Sequence, residues 1–315
     1  MRIDRTAVIG AGIMGRGIAL THALNGFKAS LYDCFPEVLT KTKRLLIEDL
    51  NLLITEGLIP VTEQSAILGR IKTTDNLIEA IEGTTFITEA VPEQLDLKWR
   101  LYTRLEELTP PETIIASNTS TMPLSDLTRH LKHPQRMIIT HFFNPAHLVP
   151  LVEVVKAVNT PTDVLDTTLA LLQQIGKMPV VLRKEVPGFI ANRLQAAVMR
   201  EALFLVDSGV ADMRDVDTAM TAGPGFRWPF IGPLETADFG GLDTWQSVLD
   251  NLAPELDASN SAPEIIKSLT RQGHLGIKSG QGFYSYPTEE AVGDKVHARD
   301  LNLIRLLKLR NRPAE

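Results

Sequence analysis

The stretch from Thr6 to Asp33 constrains the fold more than any other part of the chain. Thr6-Ala7-Val8-Ile9 is a short run with strand character, followed by Gly10-Ala11-Gly12-Ile13-Met14-Gly15 and a helical pattern that ends near Asn25-Gly26. Strand, glycine turn and helix in that order form the context in which GxGxxG binds a dinucleotide. Gly10 permits the tight turn, Gly12 lets a pyrophosphate approach the backbone N–H groups of the helix start, and Gly15 lets helix and strand pack closely. A second strand, Ala29-Ser30-Leu31-Tyr32, ends in Asp33. That acid falls about 20 residues on, where a carboxylate bonds the ribose hydroxyls and repels a 2′-phosphate, which favours NAD over NADP. Gly10, Gly12, Ile13, Met14, Gly15 and Asp33 are therefore the candidate cofactor-binding residues here. A glycine-rich turn beside a solvated aspartate is the plainer alternative.

The same rhythm continues. Pro36 suits the first turn of a helix whose apolar stripe is Leu39, Leu45, Leu46, Leu50 and Leu53, with Gly57 as its stop. Val61 to Leu68 reads as a short helix, Ile71–Thr74 and Phe86–Thr88 as strands, and Leu95 to Leu108 as a helix. Thr113–Ala116, Met137–Ile139 and Val180–Leu182 read as further strands. Alternating strands and helices imply an α/β fold, a doubly wound and mostly parallel sheet, with ligands beyond the carboxyl ends of the strands. Lys184-Glu185-Val186-Pro187-Gly188 marks a boundary, so residues 1–184 are expected to form the nucleotide-binding domain and 185–315 a smaller all-α domain. Helices are expected from Phe189 to about Ser208, Met213 to Thr221, Leu234 to Phe239, Leu242 to Asn251, Glu264 to Arg271 and Leu301 to Leu309. The last carries Arg305, Lys308 and Arg310 outward, and Ala222 to Gly232 is expected as a loop. All-α partners of such domains associate through apolar helix faces, so a homodimer through the helical part is expected.

Glu93, Ser120 and His141 each follow an expected strand, which places them near one crevice. Thr140 to Glu153, THFFNPAHLVPLVE, adds a glutamate to the histidine. Pro145 and Pro150 exclude one continuous helix between them, so a loop is expected to bring Glu153 back against His141. An imidazole held by a carboxylate makes a general base. A histidine capping a strand and a glutamate in an ordinary ion pair fit the same window.

With 315 residues the chain exceeds one compact core. A net charge of −6 argues against nucleic-acid binding, which needs clustered Lys and Arg. No apolar run is long enough to span a bilayer, and no signal segment is expected. Cys34 is the single cysteine, so neither an intrachain disulfide nor a multi-cysteine metal site is available. A cytoplasmic location, no membrane and no metal are expected. Cys34 itself is expected to pack beside the adenosine.

Taken together, these residues resemble the 3-hydroxyacyl-CoA dehydrogenase family. The matches are the fingerprint at 10–15, Glu-Ala-Val-Pro-Glu at 89–93, Ser-Asn-Thr-Ser at 117–120, His-Phe-Phe-Asn-Pro at 141–145 and Leu-Val-Glu at 151–153. Pro-Gly-Phe-Ile-Ala-Asn-Arg at 187–193, Gly-Pro-Leu-Glu at 232–235 and Gly-Ile-Lys-Ser-Gly-Gln-Gly-Phe-Tyr at 276–284 complete the series. The resemblance implies His141 as the base that takes the proton from a substrate 3-hydroxyl, Glu153 as its orienting carboxylate, and Ser120 and Asn192 as donors to the substrate oxygen. It implies Asp33, Glu93, Lys98, Ser120, Asn144 and Lys278 as NAD contacts. By family default the substrate is a 3-hydroxyacyl-CoA. Two departures leave a small non-CoA hydroxy acid open as the alternative. Where CoA-handling members place a Ser and a Lys on the helix after the second strand, this chain has Asp49 and Glu56. Phe226-Arg227-Trp228 resembles the branch that contains L-gulonate 3-dehydrogenase (lambda-crystallin), carnitine dehydrogenase and a pyridine-carboxylate dehydrogenase. There Arg227 would clamp a carboxylate and Trp228 would stack on a ring or cation. A surface arginine and a packed tryptophan fit equally well. A non-enzymatic NAD-binding structural protein is the minor alternative.

Overall fold

Strands β1 (Arg5–Ile9), β2 (Lys28–Tyr32), β3 (Ile71–Thr74), β4 (Phe86–Glu89), β5 (Ile114–Ser117), β6 (Met137–Phe142), β7 (Leu151–Val155) and β8 (Met178–Leu182) form one sheet in the order β3-β2-β1-β4-β5-β6-β7-β8. The computed structural model describes residues 3–310. Neighbours run parallel from β3 to β6, β7 is antiparallel to β6, and β8 is parallel to β7. The central strands β1, β4, β5 and β6 are buried on both faces, as a parallel sheet requires. Successive strand residues alternate between two apolar clusters: Val8 and Ile138 face one, while Ala7, Ile9, Met137 and Ile139 face the other.

Helices α1 (Ile13–Leu24), α2 (Pro36–Thr55), α3 (Gln64–Gly69), α4 (Leu77–Ile81), α5 (Leu95–Leu108), α6 (Leu124–Leu127) and α7 (Thr162–Gln174) accompany the sheet. They are followed by α8 (Ala191–Asp207), α9 (Met213–Ala222), α10 (Pro224–Arg227), α11 (Pro233–Gly240), α12 (Leu242–Leu252), α13 (Glu264–Arg271) and α14 (Glu289–Arg310). The chain divides into two units. The first comprises the described residues up to Ile190 and from Asp300 onward, and the second is Ala191–Arg299. The fold is thus a doubly wound, mostly parallel sheet followed by a helical part.

Several elements depart from the sequence expectation. Val61–Glu63 is a 3-10 turn ahead of α3 rather than part of one helix. The Gly/Pro segment from Ala222 contains α10, and α4, α6 and α7 have no counterpart in the sequence reading. The terminal helix starts at Glu289, and its last turns do not simply face outward: Ile304 is 0% exposed and packs with Leu46, Leu50 and Leu53 of α2. The Lys308 ammonium reaches Glu56 at 3.5 Å, and Arg310 contacts the Met178 sulfur at 3.4 Å. The apolar stripe of α2 therefore packs with α1 through Leu20 and Ala23, with α3 through Ile67, with Leu148, and with the end of α14.

Candidate active site

The glycine turn is built around close backbone contacts. A β-carbon on Gly10 would meet the Ala90 carbonyl oxygen at 2.6 Å, and Gly10 has φ +102°. At Gly12 a β-carbon would meet nothing within 4 Å, so the fold alone does not require glycine there. That open space lies at the N-cap of α1, where free N–H groups and the helix dipole suit a pyrophosphate. Ile13, 65% exposed, stands beside it, whereas Met14 packs against the core. Asp33 directly follows β2 with its carboxylate on the turn: Oδ2 accepts from Ala11 N at 2.9 Å and Oδ1 from Phe35 N at 3.1 Å. Thr42 of α2, which no local spacing singles out, donates to the Ala11 carbonyl at 2.8 Å and fixes the turn from the other side. Cys34 is exposed. These residues fit a dinucleotide.

Beyond β4 and β5 lies a buried polar network. Glu89, 0% exposed, accepts from Lys98 Nζ at 2.6 Å, Val91 N at 2.8 Å, Ser117 Oγ at 2.7 Å and the Tyr102 hydroxyl. Lys98 is only 1% exposed and also reaches Glu93 at 3.2 Å, so its ammonium is enclosed between two carboxylates. Burial and the neighbouring Glu89 push the Tyr102 phenol well above its ordinary range. Glu93 accepts from Thr119 Oγ1, Ser120 N at 3.1 Å and Thr121 Oγ1 at 3.2 Å. Burial works against its charge, but Thr119, Lys98 and Ser120 outweigh burial and hold the carboxyl below its usual range. The Ser120 backbone is thereby pinned, while its hydroxyl has no partner among the described residues. Asn118 ties this turn to the next strand through Oδ1, which accepts from Phe142 N at 2.9 Å.

His141 lies inside β6, not in a loop after it. Glu153 lies in β7, and the two are directly opposed partners of the antiparallel ladder. The connection 143–150 brings Glu153 back against His141 as expected, and the antiparallel pairing of the two strands sets the approach. His141 Nδ1 is 2.9 Å from Glu153 Oε2, with side chains 5% and 1% exposed. The imidazole stands between Phe143 (ring centroids 4.4 Å apart) and Phe189 (5.5 Å). Glu153 Oε1 accepts from Ile190 N at 2.8 Å. With Glu153 ionised, Nδ1 carries the shared proton and Nε2 presents a lone pair. Asn144 is exposed in the connection between β6 and β7. That connection is held by Lys177, whose Nζ donates to the carbonyls of Ala146 (2.6 Å) and Val149 (2.9 Å).

The first unit thus brings Gly10–Gly15, Asp33, Glu93, Ser120 and His141 to the carboxyl ends of β1, β2, β4, β5 and β6. The other candidates belong to the second unit. Asn192 is in the first turn of α8, Arg227 ends α10 and is exposed, Trp228 is 37% exposed, and Lys278 is exposed in the irregular segment after α13. Among the described residues no carboxylate pairs with Arg227.

A dinucleotide turn and a buried histidine–carboxylate pair at the carboxyl edge of one sheet define an NAD-dependent dehydrogenase. Residues 5–186 match the family model for the 3-hydroxyacyl-CoA dehydrogenase NAD binding domain and residues 188–286 that for its C-terminal domain. The chain belongs to the 3-hydroxyacyl-CoA dehydrogenase family. It is 35% identical over 314 residues to L-carnitine dehydrogenase of Streptomyces coelicolor, covering 98% of this chain and 96% of that one. Its structure is similar to that of 5-formyl-3-hydroxy-2-methylpyridine 4-carboxylic acid 5-dehydrogenase, an NAD+-dependent dismutase, with TM-score 0.92 and 33% identity over 99% of this chain and 100% of that one. Similarity to the (S)-3-hydroxybutyryl-CoA dehydrogenase of Ralstonia eutropha has TM-score 0.75 and 30% identity over 91% and 100%. No helix among the described residues is long and apolar enough to cross a membrane.

Proposed function

We propose that this protein oxidises a secondary hydroxyl of a small free carboxylate, a 3-hydroxy acid or a close relative, to the ketone. When bound, NAD+ supplies the hydride acceptor. His141 Nε2 takes the hydroxyl proton, and Glu153 stabilises the imidazolium that results. The Ser120 hydroxyl donates to the substrate oxygen as its charge changes. The buried His141–Glu153 pair carries this reading. Asp33 receives the adenosine ribose and the Gly10–Gly15 turn the pyrophosphate. Glu93 and Asn144 line the crevice. Lys98 acts by holding Glu93 and Glu89 in place. On the strength of their motifs, Asn192 joins Ser120 on the substrate oxygen, Lys278 serves the cofactor, and Arg227 and Trp228 receive the carboxylate and the remainder of the substrate.

The free-acid reading rests on α2. Asp49 pairs with Arg16 at 3.0 Å and Glu56 with Lys308 at 3.5 Å, so the two positions that serve CoA in other members hold acids committed elsewhere. The pyridine-carboxylate and carnitine dehydrogenases among the relatives support it as well. The acyl-CoA reading has one observation in its favour, the exposed bases Lys41, Lys43 and Arg44 on the same helix. Formation of NADH with carnitine, L-gulonate, 3-hydroxybutyrate and a series of 3-hydroxyacyl-CoAs decides between them. Saturable turnover of a free acid with none of the thioesters is expected. Saturation by a thioester at low micromolar concentration overturns the choice.

The protein is further proposed to be a cytoplasmic homodimer associating through its helical unit. Leu234, Phe239 and Leu242 are 84%, 76% and 65% exposed there, an apolar surface of the kind that marks an interface. Light scattering reads the mass directly, and a monomer would refute this part.

A further inference from the structure

Phe189 is the one described residue other than glycine with a positive φ, +54°. A bulky side chain rarely adopts that conformation, and it persists only where the surroundings enforce it. The preceding residue, Gly188, is also left-handed at φ +76°. The turn closes by a hydrogen bond from Phe189 N to the Val186 carbonyl at 3.0 Å. Two consequences follow from the backbone course. The Phe189 ring, 1% exposed, is directed inward beside Ile139, Val155 and Leu182 and meets the His141 ring edge-on, with an interplanar angle of 61°. The next N–H, that of Ile190, points at Glu153 Oε1 at 2.8 Å. One unfavourable backbone step therefore serves both members of the pair: a ring against the imidazole and an amide on the carboxylate oxygen that does not face the imidazole.

We propose that the Gly188–Phe189–Ile190 turn is a positioning element for catalysis, with Phe189 fixing the plane of His141 and the Ile190 amide fixing which oxygen of Glu153 receives Nδ1–H. This rests on the reading of His141 as the base. Phe143 covers another side of the imidazole, so loss of Phe189 leaves the ring held on one side only. Glycine adopts the left-handed conformation without strain, so Phe189→Gly removes the ring while keeping the amide on Glu153. Phe189→Leu keeps most of the buried volume but removes the aromatic edge.

The test compares wild type, H141N, F189G and F189L for kcat, KM and NADH affinity by fluorescence titration, with melting temperature recorded for each. The substrate is whichever compound of the panel above turns over. The expected result is that F189G and F189L lose about ten- to a hundred-fold in kcat, as small misplacements of a reacting group do, with KM and NADH affinity near wild type. If H141N is inactive and F189L, folded as well as wild type, keeps wild-type kcat, Phe189 only fills space and the proposal fails. Should F189G not fold, F189L alone decides. If H141N itself turns over normally, the base assignment fails first, and the positioning proposal falls with it.

Discussion

The carbonyl oxygen of Gly10 lies 1.7 Å from the point a β-carbon on Gly15 would occupy. No side-chain adjustment relieves a backbone clash of that depth, so Gly15→Ala must displace α1 from β1. Gly12 is the opposite case, with nothing within 4 Å of its β-carbon position. Gly12→Ala is expected to fold with an unchanged melting temperature and to bind NADH at least ten-fold more weakly, because the methyl takes the space left for the pyrophosphate. Gly15→Ala is expected to lose stability and binding together. Fluorescence titration beside thermal melts separates the two. Equal NADH affinity in Gly12→Ala and wild type would remove the turn from the cofactor site.

Glu153→Gln keeps the shape of the orienting group and removes its charge. Turnover should fall by about 10²–10⁴, the range associated with loss of an acid–base group or its orienting carboxylate. His141→Asn should fall at least as far. Both should bind NADH as wild type does, and parallel loss of binding would instead indicate a structural role for the pair.

Asp49 provides the pH-dependent signature. Burial raises its carboxyl from 3.8 to about 6; Arg16 opposes the rise, while Asp300 and Glu48 add to it. Between about 4 and 6 the folded protein therefore binds more protons than the unfolded chain, and this residue's contribution to stability falls as pH rises through that window. Asp49→Asn removes the penalty. The variant's stability relative to wild type should climb by about 1–3 kcal/mol from pH 4 to pH 7, from the 1.36 kcal/mol that each pKa unit represents. Urea unfolding at a series of pH values measures it, and a flat difference contradicts the assignment. His22, buried and lowered to about 3 by burial and by Lys177, has the opposite slope in wild type and variant alike, so it cancels from the comparison.

Ile304→Ala tests how the end of α14 is anchored. The side chain is fully buried against Leu46, Leu50 and Leu53, and its truncation should cost about 2–5 kcal/mol. Hydrogen exchange should quicken first in α14 and along α2. A loss below about 0.5 kcal/mol, the scale of a surface change, would mean that the contact contributes little.

Much of this was legible because the signals are local. Leu95–Leu108 and Glu264–Arg271 have the same bounds in sequence and structure, since each carries an amphipathic stripe with a clear start. The glycine turn, Asp33 and the identity of the His141–Glu153 pair follow from spacing and motif. The geometry of that pair does not. Leu151–Val155 directly follows Pro150 and carries Glu153 at its centre, which masks its strand character, so the antiparallel step appears only once β6 and β8 flank it. Lys98 was harder still. Its partner Glu89 lies one strand over from Ser117, and the two are ladder neighbours that no sequence interval connects. In the structure Lys98 lies between Glu89, which is fully buried, and the more exposed Glu93. The length of α14 was hidden by its mostly charged and polar first half, 289–299, whose few apolar residues, Ala291, Val292, Val296 and Ala298, are too sparse to announce a stripe.

The return of the chain at Asp300 has a bearing on how the protein can be dissected. The helical unit is spliced into the first rather than appended to it, with covalent attachments at Ile190 and at Asp300. A fragment stopped after Ile190 would leave Leu46, Leu50 and Leu53 without Ile304 and present an oily strip to water. Such a fragment is expected to be less stable than the same residues in the full chain. A single proteolytic cut at Pro187-Gly188 should leave both pieces still gripping one another through the last three turns of the final helix.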